Sequence, residues 1–287
     1  MRQAFLEEFL EQTGFPTEAK EAILEASKQV DLTAATETYL KTFEHEEMEK
    51  LLGSMEEETG ISRYTLWMLL LISAAEHTWD EKILERDVFW QTFTDLRYKA
   101  LECYRIHGVW GTFVGFWYPI FFQGKVRKLG RLEYEDAAYL GDAPVQVAGR
   151  TIHPGDPIKM LHIPSSGEPF CRADRLASYA QAEKRFGSPL ICFCDSWLLY
   201  PPYGEIFGEA SNIQDFQNDF QMLRSQPCET FHDGWRVYGR DWEKNPKDFP
   251  EDTTLQRKLK QYFLNGGTPG TGFGVLVFEN GTLLTRP

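Results

Sequence analysis

The segment at positions 158–167 reads IKMLHIPSSG, an apolar run closed by a proline and a Ser-Ser-Gly turn. A run of this length, bounded by turn residues, predicts a buried strand. A helical pattern over 172–186 follows after a short connection. Because backbone N–H groups point outward at a helix start and in a Ser/Gly turn, the connection suits a phosphate or carboxylate. The same pattern also serves as a plain connection in α/β domains, and both interpretations stay open.

A second apolar run, PLICFC at positions 189–194, predicts the next strand of the same sheet. Asp195 and Ser196 follow this run, and His162 ends the first one. If the two strands are parallel neighbours, polar groups at their carboxyl ends open into one crevice, the usual ligand position in open α/β sheets. The sequence therefore predicts a site built from residues 162–166 and 195–196.

The composition limits the class of protein. The chain has 287 residues and a formal net charge of −13 at pH 7. This length allows two modest domains, and the acidic balance argues against a nucleic-acid partner. The apolar runs are too short to span a bilayer and the first residues do not resemble a signal peptide, so we expect a cytoplasmic protein with no membrane partner. The five cysteines lack metal-ligand spacing, and no metal is predicted; Cys192 and Cys194 are expected in the core.

Two regions of different periodicity predict the domain organisation. Over residues 1–126, apolar residues recur three and four apart, which is typical of amphipathic helices. Over 127–287, strand-like runs separated by Gly and Pro turns alternate with helices. The predicted fold class is mixed α+β and α/β: a helical bundle followed by a mixed sheet flanked by helices. Individual predictions include a helix over 64–77 capped by Ser62, helices over 87–105, 212–224 and 253–264, and strands over 235–238 and 274–279.

Several short blocks resemble a bacterial family. They are DLRYK at 95–99, GVWGTF at 108–113, LGRLEY at 129–134, HIPSSG at 162–167, DSWLL at 195–199, SNI at 211–213 and TTLQR at 253–257. The family is described as acyltransferases with a helical N-acyltransferase N-terminal domain and a GNAT-like C-terminal domain, and the resemblance covers nearly the whole chain. It implies an enzyme that transfers an acyl group from acetyl-CoA or another acyl-CoA to a small-molecule amine.

The resemblance also implies where CoA would bind. GNAT-type enzymes hold acyl-CoA between two splayed parallel strands, with the pyrophosphate on the turn and helix start that follow the first strand. The usual turn pattern, Arg or Gln followed by two residues, Gly, one residue and then Gly or Ala, is absent here. A non-catalytic ligand-binding or scaffold protein with the same fold is therefore the alternative. The implied cofactor-binding residues are Ile163, Ser165, Ser166, Gly167, Arg172 and Arg175.

Amide formation from a thioester needs a base, donors for the developing oxyanion and an acid for the leaving thiolate. His162 is the predicted base, because an imidazole can take and return a proton near neutral pH. Asp195 is predicted to orient His162 or to act as the base, with turn capping as its competing role. Ser196 is a predicted oxyanion donor or, in a serine hydrolase, a nucleophile. Tyr200 is the predicted acid, unless it packs against the following prolines.

Four further residues are predicted to contact the acceptor substrate: Trp197, Asn212, Arg236 and Tyr238. Asn212 also suits a helix N-cap, and Arg236 suits either a carboxylate or phosphate ligand or an acidic surface. On a strand over 235–238, alternation would put Trp235 on one face with Val237 and Arg236 on the other with Tyr238.

Overall fold

The amino-terminal part of the chain folds into helices, as its apolar periodicity predicts. The computed structural model of the protein describes residues 1–208 and 211–286 and divides them into two units, the first made of Met1–Lys128 with Pro164–Ser166. We call this first part the helical unit. Its helices are α1 (Gln3–Gln12), α2 (Thr17–Ser27), α3 (Thr33–Thr42), α4 (His45–Thr59), α5 (Arg63–Asp80), α6 (Arg86–Phe93), α7 (Asp95–His107) and the short α8 (Pro119–Phe122).

Helix α5 forms the centre of the helical unit. Its residues from Leu66 to Ala75 are all buried, and a helix that is apolar all round must be surrounded by other elements. Helices α1 to α4 and α6 to α8 all contact it. The Ser62 hydroxyl accepts a hydrogen bond from the Tyr64 N–H at 3.3 Å, which confirms the predicted N-cap.

The single helix predicted over 87–105 is wrong, because the chain forms two helices that meet at Thr94. The Thr94 hydroxyl donates a hydrogen bond back to the Trp90 carbonyl at 2.7 Å, a contact that bends helices. Asp95, the next residue, is buried and accepts a hydrogen bond from the Tyr118 hydroxyl at 2.8 Å. The polar residues at 94–95 therefore mark the point where one helix ends and the next begins, which the apolar periodicity alone does not show.

Gly111 lies where two backbone segments of the helical unit touch. A Cβ atom at this position would be 2.3 Å from the Tyr64 carbonyl carbon, which belongs to the backbone and cannot turn away. We expect Gly111→Ala to lower the free energy of unfolding by about 1–3 kcal/mol, measured by urea denaturation. Gly53→Ala is the control: Gly53 lies in α4 with nothing within 4 Å of the added atom, so alanine should stabilise the helix by about 0.5–1 kcal/mol. Equal stability of the two variants would contradict this account.

The second part, which we call the sheet unit, comprises Leu129–Ile163 and the described residues from Gly167 onward. The first strand, β1, crosses the boundary at Lys128. The strands are β1 (Val126–Leu129), β2 (Leu132–Ala138), β3 (Val145–Val147), β4 (Arg150–Ile152), β5 (Pro157–His162), β6 (Leu190–Ser196), β7 (Gln221–Pro227), β8 (Gly270–Glu279) and β9 (Thr282–Leu283). The helices are α9 (Arg172–Phe186), α10 (Pro201–Phe207), α11 (Asn212–Gln217), α12 (Gly234–Tyr238) and α13 (Thr254–Leu264).

The main sheet has the strand order β2-β5-β6-β8-β7 within the sheet unit, with β9 paired to β8. Strands β5 and β6 are parallel, and the other neighbouring pairs are antiparallel. Strands β3 and β4 form a separate hairpin. A helical region followed by a mixed sheet with flanking helices confirms the predicted fold class.

The two faces of the sheet pack against different elements. One face, here the helix face, contains Leu161 and Cys192 in a core shared with Tyr179 of α9. The other, here the hairpin face, contains Ile158 and Phe193 in a core shared with the β3–β4 hairpin. Since side chains alternate along a strand, this division tells which way each residue at the strand ends points.

Two predicted elements of the sheet unit are wrong. The predicted strand over 235–238 is the helix α12, which Gly239 ends with a φ of 60°. The strand alternation that would put Trp235 with Val237 on one face and Arg236 with Tyr238 on the other is therefore absent. The predicted helix over 212–224 ends at Gln217, and β7 begins at Gln221. By contrast, the Thr253 cap of α13 is present as a full capping box with Gln256.

Candidate active site

Strands β5 and β6 separate soon after they pair. Their ladder joins Lys159 to Cys192 and Met160 to Phe193, which confirms that they are parallel neighbours. Beyond these two pairs, β5 continues to His162 and β6 to Ser196 without further pairing between them. By contrast, the antiparallel ladder of β6 with β8 covers the whole of β6, from Leu190 to Ser196. The carboxyl ends of β5 and β6 thus leave a gap in the sheet, where an extended ligand can reach backbone groups.

His162 lies at the end of β5 and makes a close contact with a carboxylate. Its Nε2 atom is 2.8 Å from Oε2 of Glu135 on β2, and the two side chains are 23% and 20% exposed. His162 shares the hairpin face with Ile158 and Met160, four and two residues earlier on β5. Glu135 is not identifiable from the sequence as the partner of His162. The only local indication is its place in the strand pattern LEYEDAA, since the pairing of β2 with β5 is not visible in the sequence.

Asp195 and Ser196 lie on opposite faces of the sheet. Asp195 follows Ile191 and Phe193 on the hairpin face, the face that also carries His162. Its exposed carboxylate is 3.4 Å from the Arg224 guanidinium, so the acid that contacts His162 is Glu135 and not Asp195. The Ser196 hydroxyl accepts a hydrogen bond from the Leu198 N–H at 3.2 Å and so caps the short helical turn after β6.

The predicted phosphate turn does not itself start a helix. Ile163 follows β5 directly and packs on the core of the helix face, whereas Gly167 adopts a φ of 77°. Residues 168–171 then separate the turn from α9, which begins at the exposed Arg172. In the turn, Ser165 is exposed and the Ser166 N–H donates to the Pro164 carbonyl at 2.9 Å.

Arg175 is the predicted cofactor ligand that the structure places furthest from solvent. Its side chain is fully buried, and its Nε atom donates to Oδ2 of Asp219 at 2.9 Å. The guanidinium also contacts Asp215, and Arg286 donates to the other oxygen of Asp219 at 2.8 Å. We call these four residues the ionic cluster. Because internal carboxylates hold its guanidinium, Arg175 is not placed to meet a phosphate, and we assign it a structural role.

The ionic cluster predicts a stability that depends on pH in the acid range. Burial alone would raise the pKa of Asp215, but hydrogen bonds from Arg286 and Arg175 outweigh it and lower the pKa below its usual value of 3.8. The contribution of Asp215 is therefore complete above pH 3.8 and is lost as the pH falls through the lower native value. Urea denaturation over the acid range should show a steeper loss of stability for the wild type than for Asp215→Asn. Asp142→Asn, at an exposed site, should keep the wild-type slope, and an unchanged slope in Asp215→Asn would contradict the assignment.

Three predicted site residues lie in an aromatic cluster formed by Trp197, Tyr200, Tyr203, Tyr238 and Phe249. Tyr200 is 7% exposed and meets the Tyr203 ring edge to face at 5.2 Å. Tyr238 stacks on Phe249 at 4.0 Å, donates its hydroxyl to the Gln256 carbonyl at 3.3 Å, and has its pKa raised by burial. These contacts are those of a packed core, so the structure gives Tyr238 a packing role.

The two remaining predicted substrate residues lie on the surface of the sheet unit. Asn212 is the exposed first residue of α11, and the cap is its neighbour Ser211, whose hydroxyl accepts from the Ile213 N–H at 3.1 Å. Arg236 pairs with Asp233 at 2.8 Å and lies 4.2 Å above the Trp235 ring.

In the described ranges 1–208 and 211–286, no three His, Cys, Asp or Glu side chains are grouped so that they could hold a metal ion. Cys192 and Cys194 are buried in the core of the helix face, where burial raises the pKa of both thiols. Among the same residues, no helix combines the length and the apolar character needed to cross a membrane.

Comparison with solved structures finds the same fold in acyltransferases. A structure described as an acyltransferase in complex with decanoyl-CoA and teicoplanin matches with a TM-score of 0.72 and 19% identity, over 95% of this chain and 87% of that chain. A complex with CoA and 10C-teicoplanin gives 0.71 and 19% over the same shares, and one with decanoyl-CoA gives 0.69 and 20% over 95% and 86%. At this identity the likeness shows the fold. No curated protein matches the sequence.

Family comparisons cover both parts of the chain. Residues 4–124 match the family described as the N-acyltransferase N-terminal domain, and residues 126–276 match the GNAT-like C-terminal domain. The second match alone covers more than half of the 287 residues, and the order of the two domains is the one that the short sequence blocks indicate. The chain therefore belongs to the family in which an N-acyltransferase N-terminal domain precedes a GNAT-like C-terminal domain.

Proposed function

We propose that the protein transfers an acyl group from acyl-CoA to the amine of a small molecule. The observation that carries this proposal is the early end of the β5–β6 ladder, which leaves a gap beside His162. An acyl-CoA thioester laid in such a gap can form hydrogen bonds with the backbone of the two strand ends. The solved structures that share the fold are described as acyltransferases bound to decanoyl-CoA or CoA, which supports acyl-CoA as the donor.

In this proposal His162 is the general base. The acceptor nitrogen attacks the thioester carbonyl carbon while its proton passes to the imidazole, and a tetrahedral intermediate forms. The C–S bond then breaks, and the proton passes from the imidazolium to the departing thiolate. The products are an amide and CoA with a free thiol. Asp195, exposed on the same face, is proposed to attract the amine in its protonated form toward the gap, because opposite charges favour encounter, and the amine gives its extra proton to water before it attacks.

The other predicted ligands keep narrower roles. Ile163, Ser165, Ser166, Gly167 and Arg172 remain the predicted CoA-binding residues, as the family resemblance implies. Ser196 is engaged in a cap and Tyr200 in the aromatic cluster, so we propose no proton transfer through either residue.

Binding of CoA species tests the proposal first. A ligand that binds only the folded protein raises Tm by mass action, by an amount that grows with its concentration over Kd. We expect acetyl-CoA or a longer acyl-CoA to raise Tm, and free CoA to raise it less. Acceptors can then be screened by thiol release, with simple amines beside teicoplanin, the molecule named with the related structures.

The outcomes separate the proposal from its alternative. If no CoA species shifts Tm at about a hundred times a typical micromolar Kd, the acyltransferase proposal is wrong. If acyl-CoA binds but no amine on the panel releases thiol above the rate without protein, the protein is the non-catalytic binding module that the missing phosphate-turn pattern suggests.

A further inference from the structure

The contact between Glu135 and His162 constrains which nitrogen of the imidazole carries the proton. A carboxylate only accepts hydrogen bonds, so the Nε2 atom 2.8 Å from Oε2 must be the N–H donor. A neutral imidazole has one N–H, and its lone pair is then on Nδ1. The contact therefore selects one of the two tautomers of the neutral side chain.

We propose that Glu135 is a positioning residue that makes Nδ1 of His162 the base in acyl transfer. The inference rests on the proposed function and adds the atom at which the acceptor gives up its proton. The proton of the attacking amine passes to Nδ1, giving an imidazolium whose Nε2–H stays bonded to Glu135. It returns from Nδ1 to the CoA thiolate when the C–S bond breaks, so Glu135 itself neither gains nor loses a proton.

The backbone holds the pair in place from both sides. Strands β2 and β5 are joined by an antiparallel ladder from Glu133 opposite His162 to Ala138 opposite Pro157. Glu135 is opposite Met160, one side-chain step along the face from His162, which is the diagonal distance that long side chains can span. Both side chains are about four-fifths buried, so water competes little for the bond.

The neighbouring acids differ from Glu135 in their surroundings. Asp136 is the next residue on β2, so it lies on the opposite face, where it pairs with Lys159. Asp195 shares the face with His162 but is exposed and paired with Arg224. Glu133 is buried directly opposite His162, and the contact that fixes the proton on Nε2 is the one with Glu135.

The tautomer can be measured directly by NMR. Long-range ¹H–¹⁵N spectra of protein labelled at histidine distinguish a protonated ring nitrogen from one with a lone pair, and His162→Ala identifies the signals of His162 among those of the six histidines. We expect the wild type to show the Nε2–H form. Glu135→Gln keeps the shape of the side chain but offers both a donor and an acceptor, so both tautomers should appear. Asp136→Asn removes the same charge from the other face of β2 and should leave the spectrum unchanged.

Steady-state kinetics are the second test of the positioning role. Glu135→Gln should lower kcat by about 10- to 100-fold and leave KM for acyl-CoA unchanged within about twofold. In a His162→Ala background the same substitution should have no further effect, because Glu135 acts only through that ring. Asp136→Asn should turn over like the wild type.

Each outcome decides a separate point. If Glu135→Gln keeps the Nε2–H form alone, or lowers kcat as much in the His162→Ala background as in the wild type, the positioning role is wrong while acyl transfer still stands. If the wild type binds acyl-CoA but turns nothing over, the proposed function and the role of Nδ1 as base both fail. The NMR arm then still tests whether Glu135 orients the ring.

Discussion

His162→Ala is expected to lower kcat for acyl transfer by about 10²–10⁴-fold, the usual contribution of a positioned general base. KM for acyl-CoA should change little, because the substitution removes a group that moves protons during the reaction and does not hold the bound acyl-CoA. Thiol release at saturating acyl-CoA, with the best acceptor from the screen, measures both constants. Circular dichroism and Tm establish that the variant is folded.

His153→Ala is the matched control for this experiment. His153 is exposed in the turn between β4 and β5, so its loss changes the histidine count without touching the end of β5. It should turn over within about twofold of the wild type. A His162→Ala enzyme as active as this control would exclude His162 as the base and direct the search to another proton acceptor.

Arg175→Met is expected to destabilise the sheet unit by about 3–5 kcal/mol, the usual cost of removing one partner of a buried ion pair. The substitution leaves the carboxylate of Asp219, which is 1% exposed, with Arg286 as its remaining cation. Methionine fills part of the volume, so the loss reports mainly on charge. Urea denaturation at neutral pH measures the change.

Arg224→Met is the control, since it removes an arginine whose side chain is 64% exposed and whose ion pair with Asp195 is at the surface. A change of at most about 0.5 kcal/mol is expected there. The structural role of Arg175 would be wrong if Arg175→Met lost equally little stability and also weakened CoA binding. That result would mean that the wild-type guanidinium leaves the ionic cluster to bind ligand.

Local sequence patterns are enough to predict the elements that are stabilised by residues close together in the chain. The positions of α9 and β5, the cap of α5 and the Thr253 cap of α13 all follow from residues within a few positions of one another. Strand β7 does not follow in this way. It is an edge strand with five of its seven residues exposed, so it lacks the alternation that marks a half-buried strand.

The site is predictable only in part, for the same physical reason. His162 and Asp195 follow apolar strands, and that position alone indicates polar groups at the end of a sheet. The partners of these residues, Glu135 and Arg224, come from strands 27 and 29 residues away, and their identity depends on strand order and register. The burial of Arg175 depends likewise on Asp219, 44 residues further along the chain.

The position of β8 in the sheet has a consequence for synthesis of the protein. This strand is the last long element of the chain, yet it lies between β6 and β7, which are made much earlier. Until residues 270–279 leave the ribosome, β6 has one long open edge and apolar side chains on both faces, a combination that promotes pairing with other chains. The sheet unit therefore completes its core only after residues 270–279 have been made, and β6 stays open to pairing with other chains until then.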